Sequence, residues 1–190
     1  MTILRIISAI LISNFLMLDE KPSTNSQPAT SMQATERNGK LSTGIRAIDF
    51  TNFTYPGDTI FGKKKYRLQN GEFAGDAYRE PMGLLRISYG DLTRDGTEEA
   101  IISLVVIVKG GTARPHIHYI YTLDKRKLKL LWMFDTGDRA DGGLRRIYPE
   151  KGLMVVERYS SAKSRGTCCP VTFNRSRYIW NGHSFHSVGK

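Results

Sequence analysis

Short apolar stretches, separated by turn signals and alternating with polar positions, run along residues 45–190. Residues 100–108 are β-branched and almost continuously apolar, which indicates a central strand covered on both faces. No segment after residue 45 keeps the 3.6-residue periodicity of a capped helix. The pattern therefore predicts a mainly β domain, an antiparallel meander of about 7–9 strands forming a sheet, a sandwich or a partly closed barrel. At most one short helix is expected, within residues 74–82.

Hairpins account for much of the predicted meander. Residues 116–123 and 128–134 both alternate around a polar turn, so we expect a hairpin with facing aromatic residues. The second segment is expected to place four apolar residues on one face: Leu128, Leu130, Trp132 and Phe134. The pairs Asn70-Gly71 and Asn181-Gly182 each predict a type I′ turn between two strands.

The first 44 residues differ in composition from the rest of the chain. Residues 1–18 carry one charge, Arg5, followed by an apolar run that is shorter than the ~20 residues a membrane-spanning helix needs. Such a run behind a positive residue is typical of a secretory signal or N-terminal anchor; a frayed amphipathic helix and a misplaced start are the alternatives. Residues 19–44 are rich in small polar residues and proline, which predicts a disordered linker before a single domain at 45–190. We therefore expect a periplasmic or secreted protein.

An acidic loop leads into the predicted central strand. Its oxygen-bearing residues have the spacing of a calcium-binding loop: Asp91, Thr93, Asp95, Thr97 (through its carbonyl) and Glu99. Gly96 would allow the sharp reversal that such a loop needs. The alternative is a tight turn in which Asp91 and Asp95 accept hydrogen bonds from loop amides. That alternative is favoured, because the Thr93 hydroxyl is a weak ligand, and the cofactor expectation is none, or Ca²⁺.

Residues 90–102, GDLTRDGTEEAII, resemble the D-x-[DN]-x-D-G-x-x-[DE] loop of extracellular FG-GAP/VCBS-type β repeats, which bind calcium between strands. Followed by TGDRADGGL, CCP and RYIWNGHSF, this segment resembles small exported bacterial proteins of unknown function, of the LppP/LprE lipoprotein-like sort. The resemblance covers roughly residues 48–188 and implies an exported β protein, with no known catalytic residues. Thr93 and the lack of a lipidation cysteine after residue 18 depart from these patterns.

The two cysteines of the chain are adjacent, Cys168 and Cys169. In an oxidising compartment they would form a vicinal disulfide that fixes a rigid turn before Pro170. Two buried free thiols, a redox pair and a metal site are the alternatives. A local structural role is favoured, because no spacer or helix N-terminus is evident to lower a thiol pKa.

A second loop with candidate chemistry covers residues 135–143, which are rich in Asp and Gly. Arg139 is a candidate for binding an anion, with Asp138 or Asp141 holding the arginine in place. The favoured alternative is that Arg139 pairs with a neighbouring carboxylate and pins an exposed connection.

Histidines provide the other candidate metal ligands. His116 and His118 fall on one face of a predicted strand, and His183 or His186 would have to complete a zinc site. Solvent-facing histidines on a half-buried strand are the favoured interpretation. The sequence contains no nucleophile elbow, P-loop or dinucleotide-binding fingerprint, so no catalytic residue is assigned.

Charge gives the clearest indication of a partner. Residues 45–190 contain 24 basic and 15 acidic residues, with basic clusters at 63–67, 125–129, Arg145-Arg146 and Arg175/Arg177. We expect an exported, non-enzymatic binding or structural domain with affinity for an anionic envelope component or polymer. The alternatives are a metal-dependent, hydrolase-like enzyme and a nucleic-acid binder, the latter disfavoured by the signal-like lead. No protein partner is defined, and a monomer is expected.

Overall fold

The computed structural model describes residues 44–57, 64–76, 80–139, 142–160 and 170–189. They form two short 3₁₀ helices, Gly44–Ala47 and Phe50–Asn52, and eleven strands. The strands are β1 (Thr54–Tyr55), β2 (Tyr66–Arg67), β3 (Glu72–Phe73), β4 (Met82–Gly90), β5 (Glu99–Val106), β6 (His116–Asp124), β7 (Lys127–Thr136), β8 (Leu144–Glu150), β9 (Leu153–Ser160), β10 (Thr172–Trp180) and β11 (Phe185–Ser187). The signal-like segment, almost all of the linker, and Cys168 and Cys169 lie outside the described residues.

The fold is mainly β and antiparallel, as predicted, and it does not close into a barrel. A five-stranded sheet has the order β3-β4-β5-β6-β7, a four-stranded sheet has the order β11-β10-β9-β8, and β1 pairs with β2. Seven strands have seven or more residues, whereas β1, β2, β3 and β11 have two or three. These four short strands bring the total to eleven, above the predicted 7–9. No helix of the described residues is long or apolar enough to cross a membrane.

The central strand is β5, as its apolar run predicts. Alternate residues of β5, such as Ile102 and Leu104, pack against residues 45–55 and 66–68, where Phe50 and Tyr55 are buried. Ile101 precedes Ile102 and points to the opposite face, where it belongs to a second core built mainly with residues of the four-stranded sheet. The five-stranded sheet is therefore covered on one face by the N-terminal segment and on the other by the second sheet.

The helix expected within residues 74–82 is absent from the part of this range that the structure describes. β4 already begins at Met82. The carbonyl of Pro81 accepts a hydrogen bond from Ile107 N at 2.8 Å, so the pairing of β4 with β5 extends beyond the strand. Proline also restricts the preceding residue to extended backbone, which opposes a helix at this point.

A β-bulge overturns part of the predicted β6–β7 hairpin. The two strands pair as predicted, but Leu131 is an extra residue between the partners of Ile120 and Tyr121. The four residues expected on one face are divided between the two cores: Leu128 and Leu130 in the first, Trp132 and Phe134 in the second. The prediction of facing aromatic residues is therefore wrong, because one extra residue reverses the inside-outside alternation of a strand.

The two predicted type I′ turns have different outcomes. Asn70 and Gly71 both have positive φ, 52° and 85°, as that turn requires. The hairpin of β10 and β11 also forms, but Trp180 pairs with Phe185, so residues 181–184 make a four-residue loop. The Asn181 side chain accepts hydrogen bonds from His183 N (2.9 Å) and Ser184 N (2.8 Å), which stabilises the longer loop.

Candidate functional site

Two of the predicted basic clusters meet on the outer face of the four-stranded sheet. Met154 and Val156 of β9 belong to the core between the sheets, so the alternating residue Glu157 points to the opposite face. Arg175 of β10 is the register partner of Glu157. We call this surface the arginine face and define it by five arginines and three aromatic residues: Arg139, Arg145, Arg146, Arg175, Arg177, Tyr148, Tyr159 and Phe173.

A buried carboxylate orients two of these arginines. The Glu157 side chain is 1% exposed and pairs with Arg145, while its Oε1 accepts hydrogen bonds from Arg175 Nε (2.9 Å) and Nη2 (2.7 Å). Burial alone would raise the pKa of Glu157, but the hydrogen bonds from Arg175 and Arg145 hold the pKa below its usual value. The carboxylate therefore stays ionised at neutral pH and fixes both guanidinium groups in place.

Aromatic rings support three arginines of the face. The Arg145 guanidinium carbon lies 4.0 Å from the centre of the Phe173 ring, and that of Arg139 lies 4.9 Å from the Tyr159 ring. Arg146 lies 5.2 Å from the ring of Tyr148. Stacking holds a guanidinium by its flat side and leaves its N–H edge available to an anion.

A cleft opens at the edge of the arginine face, between β8 and β4. It has a volume of about 180 Å³ and is lined by Leu85, Arg86, Ser103, Leu144, Arg145, Arg146 and Ile147. The two strands approach closely beside it, since a Cβ added to Gly90 would lie 2.5 Å from Pro149 Cβ. We call this cavity the arginine cleft.

The residues of the predicted calcium loop take up a structural arrangement. The Glu99 side chain is completely buried, and its Oε2 accepts hydrogen bonds from Leu92 N (2.7 Å) and Thr93 N (3.0 Å). Its Oε1 accepts from the Thr122 hydroxyl at 2.8 Å and from the Thr93 hydroxyl at 3.3 Å. Burial raises the pKa of Glu99, and these hydrogen bonds offset part of that rise.

The two aspartates of the loop also hold backbone amides. Asp91 accepts from Asp95 N (3.2 Å) and Gly96 N (3.1 Å), and Asp95 accepts from Thr97 N (2.7 Å). These are the contacts of the favoured turn. Both oxygens of Asp91 and Glu99 and one oxygen of Asp95 thus have protein donors. Among the described residues these carboxylates are not grouped to form the converging shell that Ca²⁺ requires. This donor set does not fit a calcium ion.

The thermal stability of the protein should not depend on calcium. An ion that binds only the folded state raises the unfolding temperature. Because the loop does not fit Ca²⁺, we expect equal unfolding midpoints in excess CaCl₂ and in EDTA. Scanning calorimetry of the full chain measures this, with MgCl₂ as the control for ionic strength and divalent charge. A midpoint that rises with calcium and not with magnesium would restore the calcium-loop interpretation.

The candidate ligand-binding loop does not form one site in the described residues. Asp138 Oδ1 accepts from Arg114 N at 2.9 Å, and the Asp138 carbonyl accepts from Gly143 N at 2.6 Å, so this residue ties two connections together. Arg139 instead lies over Tyr159, on the arginine face. Asp141 lies outside the described residues. Arg139 therefore has a ring of the arginine face as its neighbour, which was not predicted.

The histidine pair is more buried than expected. His118 is completely buried, with Ser103 Oγ 3.0 Å from its Nδ1 and Thr136 Oγ1 3.2 Å from its Nε2. The prediction of solvent-facing histidines is therefore wrong for His118. His116 is half-buried, and its Nδ1 is the one buried side-chain nitrogen or oxygen that lacks a hydrogen bond among the described residues.

The acidic loop and the histidines lie at opposite ends of β5 and β6. Glu99 begins β5, whereas His116 pairs with Val105 near its end. Within the described ranges no three His, Cys, Asp or Glu side chains are grouped to hold a metal. The hydrolase alternative needs the acidic loop, or the loop of residues 135–141, in one cleft with the histidines. The acidic loop does not meet that condition. Asp138 of the second loop does lie near His116, since its charge offsets part of the fall in the pKa of His116 that burial causes.

No family model matches the chain, and no curated protein matches it. The features that bear on function are therefore the arginine face and the arginine cleft. In the sequence, Arg145-Arg146 and Arg175/Arg177 are two separate basic clusters, and Arg86 belongs to neither. The available signal was in β9, where the charged pair Glu157-Arg158 interrupts the apolar run that begins at Leu153.

Proposed function

We propose that this protein is a non-enzymatic binding module that holds an anionic polymer on the arginine face. The observation that carries the proposal is the convergence of five arginines from the β7–β8 connection, β8 and β10. The carboxylates among them are Glu157, which is buried, and Glu150, which lies 3.8 Å from Arg177. The accessible charge of this surface is therefore strongly positive.

The shape of the surface favours an extended ligand. Neighbouring strands are about 4.8 Å apart, so arginines on β8 and β10 are separated by about two strand spacings. The side chains of Arg175 and Arg177 are 43% and 42% exposed, and Phe173 is 38% exposed beside them. A row of cations and exposed rings across several strands suits a chain with repeated negative charges better than one small anion.

We also propose that the protein acts outside the cytosol, as a monomer in the periplasm or as a secreted protein. The support is the apolar run behind Arg5 and the polar segment that follows it. The resemblance to small exported lipoprotein-like proteins remains part of this proposal. A positively charged surface and a location outside the cytosol both favour an anionic polymer of the cell envelope as the partner.

The binding test uses inorganic polyphosphate, a polymer with negative charge and no bases. Arg146 and Arg177 are the residues to change, because neither pairs with the buried Glu157 in the hydrogen bonds given above. We expect the double variant R146Q/R177Q to bind about tenfold more weakly, which corresponds to about 1.4 kcal/mol. The slope of log K against log salt should fall by about 2, since two ionic contacts are lost. Fluorescence anisotropy at several salt concentrations measures both quantities.

The matched control is K127Q/K129Q, which removes two charges from exposed positions of β7. We expect its affinity to remain within about twofold of the unchanged protein. Equal losses in the two double variants would mean that net charge alone drives binding, and the arginine face would lose its role. A single-stranded oligonucleotide serves as the second ligand, and tighter binding to it than to polyphosphate at equal salt would favour the nucleic-acid alternative.

A further inference from the structure

The arginine cleft is built by two β-bulges that face each other. The register of β4 with β5 shifts between Leu84 and Arg86, which leaves Leu85 as the extra residue. The register of β8 with β9 shifts between Leu144 and Arg146, which leaves Arg145 as the extra residue. Both extra residues line the cleft. Bulges redirect side chains and are common beside functional sites, so the lining is a specific product of these two strands.

The charges in the cleft all have one sign. Arg86, Arg145 and Arg146 are the ionisable residues of its lining, and no carboxylate is among the lining residues. Arg145 is fixed by Glu157, whereas Arg86 has no ion pair in the part of the chain that the structure describes. Arginine offers parallel N–H donors that match the oxygens of a phosphoryl group.

A neutral hydroxyl adds a further polar group to the lining. Ser103 is 1% exposed, and its Oγ lies 3.0 Å from His118 Nδ1. If the imidazole N–H donates to this oxygen, the Ser103 O–H is available to donate into the cleft. Thr136 Oγ1 lies 3.2 Å from the other ring nitrogen, so it holds the imidazole in position.

We infer that the arginine cleft binds one phosphoryl group, held by Arg86 with the Ser103 hydroxyl as a further donor, and that Arg145 and Arg146 add positive charge at its edge. A cavity of about 180 Å³ has room for one tetrahedral oxyanion together with several waters, since one water needs roughly 10–15 Å³ of such volume. The inference extends the proposed function, because Arg145 and Arg146 belong to both surfaces, and it identifies the anionic group of the polymer as phosphate.

The test titrates inorganic phosphate into the full chain and follows the arginine Nε–Hε signals by NMR, with chloride at matched ionic strength as the reference. We expect saturable shifts, and a dissociation constant that rises about tenfold in R86Q. K129Q, which changes an exposed lysine outside both surfaces, should bind phosphate within about twofold of the unchanged protein. No saturable shift, or equal affinity of R86Q, would overturn the inference. Sulfate that binds at least tenfold more tightly would overturn the assignment to phosphate.

The polyphosphate assay separates this inference from the proposed function. Polymer binding without phosphate binding would reject the cleft as a phosphoryl site and leave the arginine face intact. Phosphate binding that R86Q weakens, in a protein that does not hold polyphosphate, would support the cleft and reject the polymer-binding proposal.

Discussion

Replacing Glu99 by alanine should destabilise the protein by at least about 2 kcal/mol, whereas glutamine at the same position should cost less than about 1 kcal/mol. Alanine removes the acceptor for Leu92 N, Thr93 N and the Thr122 hydroxyl around a completely buried side chain. A buried donor left without a partner costs about 1–3 kcal/mol. Glutamine keeps one oxygen for the two amides and can donate its NH₂ to the threonine hydroxyls.

Denaturant unfolding of the unchanged protein, E99A and E99Q measures these differences. D95A is the control for the loop, since Asp95 is exposed and accepts from one amide, Thr97 N. Its effect should be well below that of E99A. If E99A and E99Q were equally destabilising, the negative charge of Glu99 would be what the fold requires, and a cation bound by the loop would again explain it.

In the variant H118Q, the free energy of unfolding should fall less steeply with decreasing pH than in the unchanged protein. Burial, with smaller contributions from the charges of His116 and Arg158, lowers the pKa of His118 from 6.5 to about 3. The unfolded chain therefore takes up a proton at a pH where the folded protein does not. The contribution of His118 to stability is fully present above pH 6.5 and is lost as pH falls towards about 3.

The expected slope is about 1.4 kcal/mol for each pH unit within that window, and it should be missing in H118Q. Glu99 acts in the opposite sense, because its raised pKa makes the folded state bind its proton first as pH falls. Glu99 is present in every variant, so the difference in slope between H118Q and the unchanged protein reports on His118 alone. Urea unfolding between pH 7 and pH 4 measures the slopes, with the exposed H186Q as the control. Parallel curves for H118Q and the unchanged protein would show that the imidazole is not kept neutral by the fold.

Most of the strands could be predicted from the sequence, because alternation and turn residues are local signals. The strand β4 was not among those predicted. The burial of β5 on both faces follows from its continuous apolar run. The bulge at Leu131 could not be predicted, because it is defined by how β7 pairs with β6. The residues of β7 alone do not show where the alternation between the two faces of the sheet is reversed. The loop after Asn181 differs from the predicted turn because a side chain, Asn181, supplies hydrogen bonds that compete with the tighter turn.

The candidate site was less accessible to sequence reasoning than the fold. The roles of Asp91 and Asp95 as acceptors for loop amides could be predicted, because aspartate side chains reach amides a few residues away. The arginine face depends on the pairing of β8 and β10 with β9, which brings residues about 30 positions apart onto one surface. The cleft additionally requires two bulges and the packing of β4 beside β8. Such long-range geometry has no local signature.

Mapping of the polyphosphate contact by ¹H–¹⁵N NMR tests the central claim most directly. The arginine face predicts saturable shifts of backbone amides in β8, β9 and β10 around Glu157, together with the Nε–Hε signals of Arg139, Arg175 and Arg177. The exposed basic turn between β6 and β7, with Lys125 and Arg126, should shift little at the same ligand concentration. The largest shifts at that turn, or equal shifts at every basic cluster, would contradict the account.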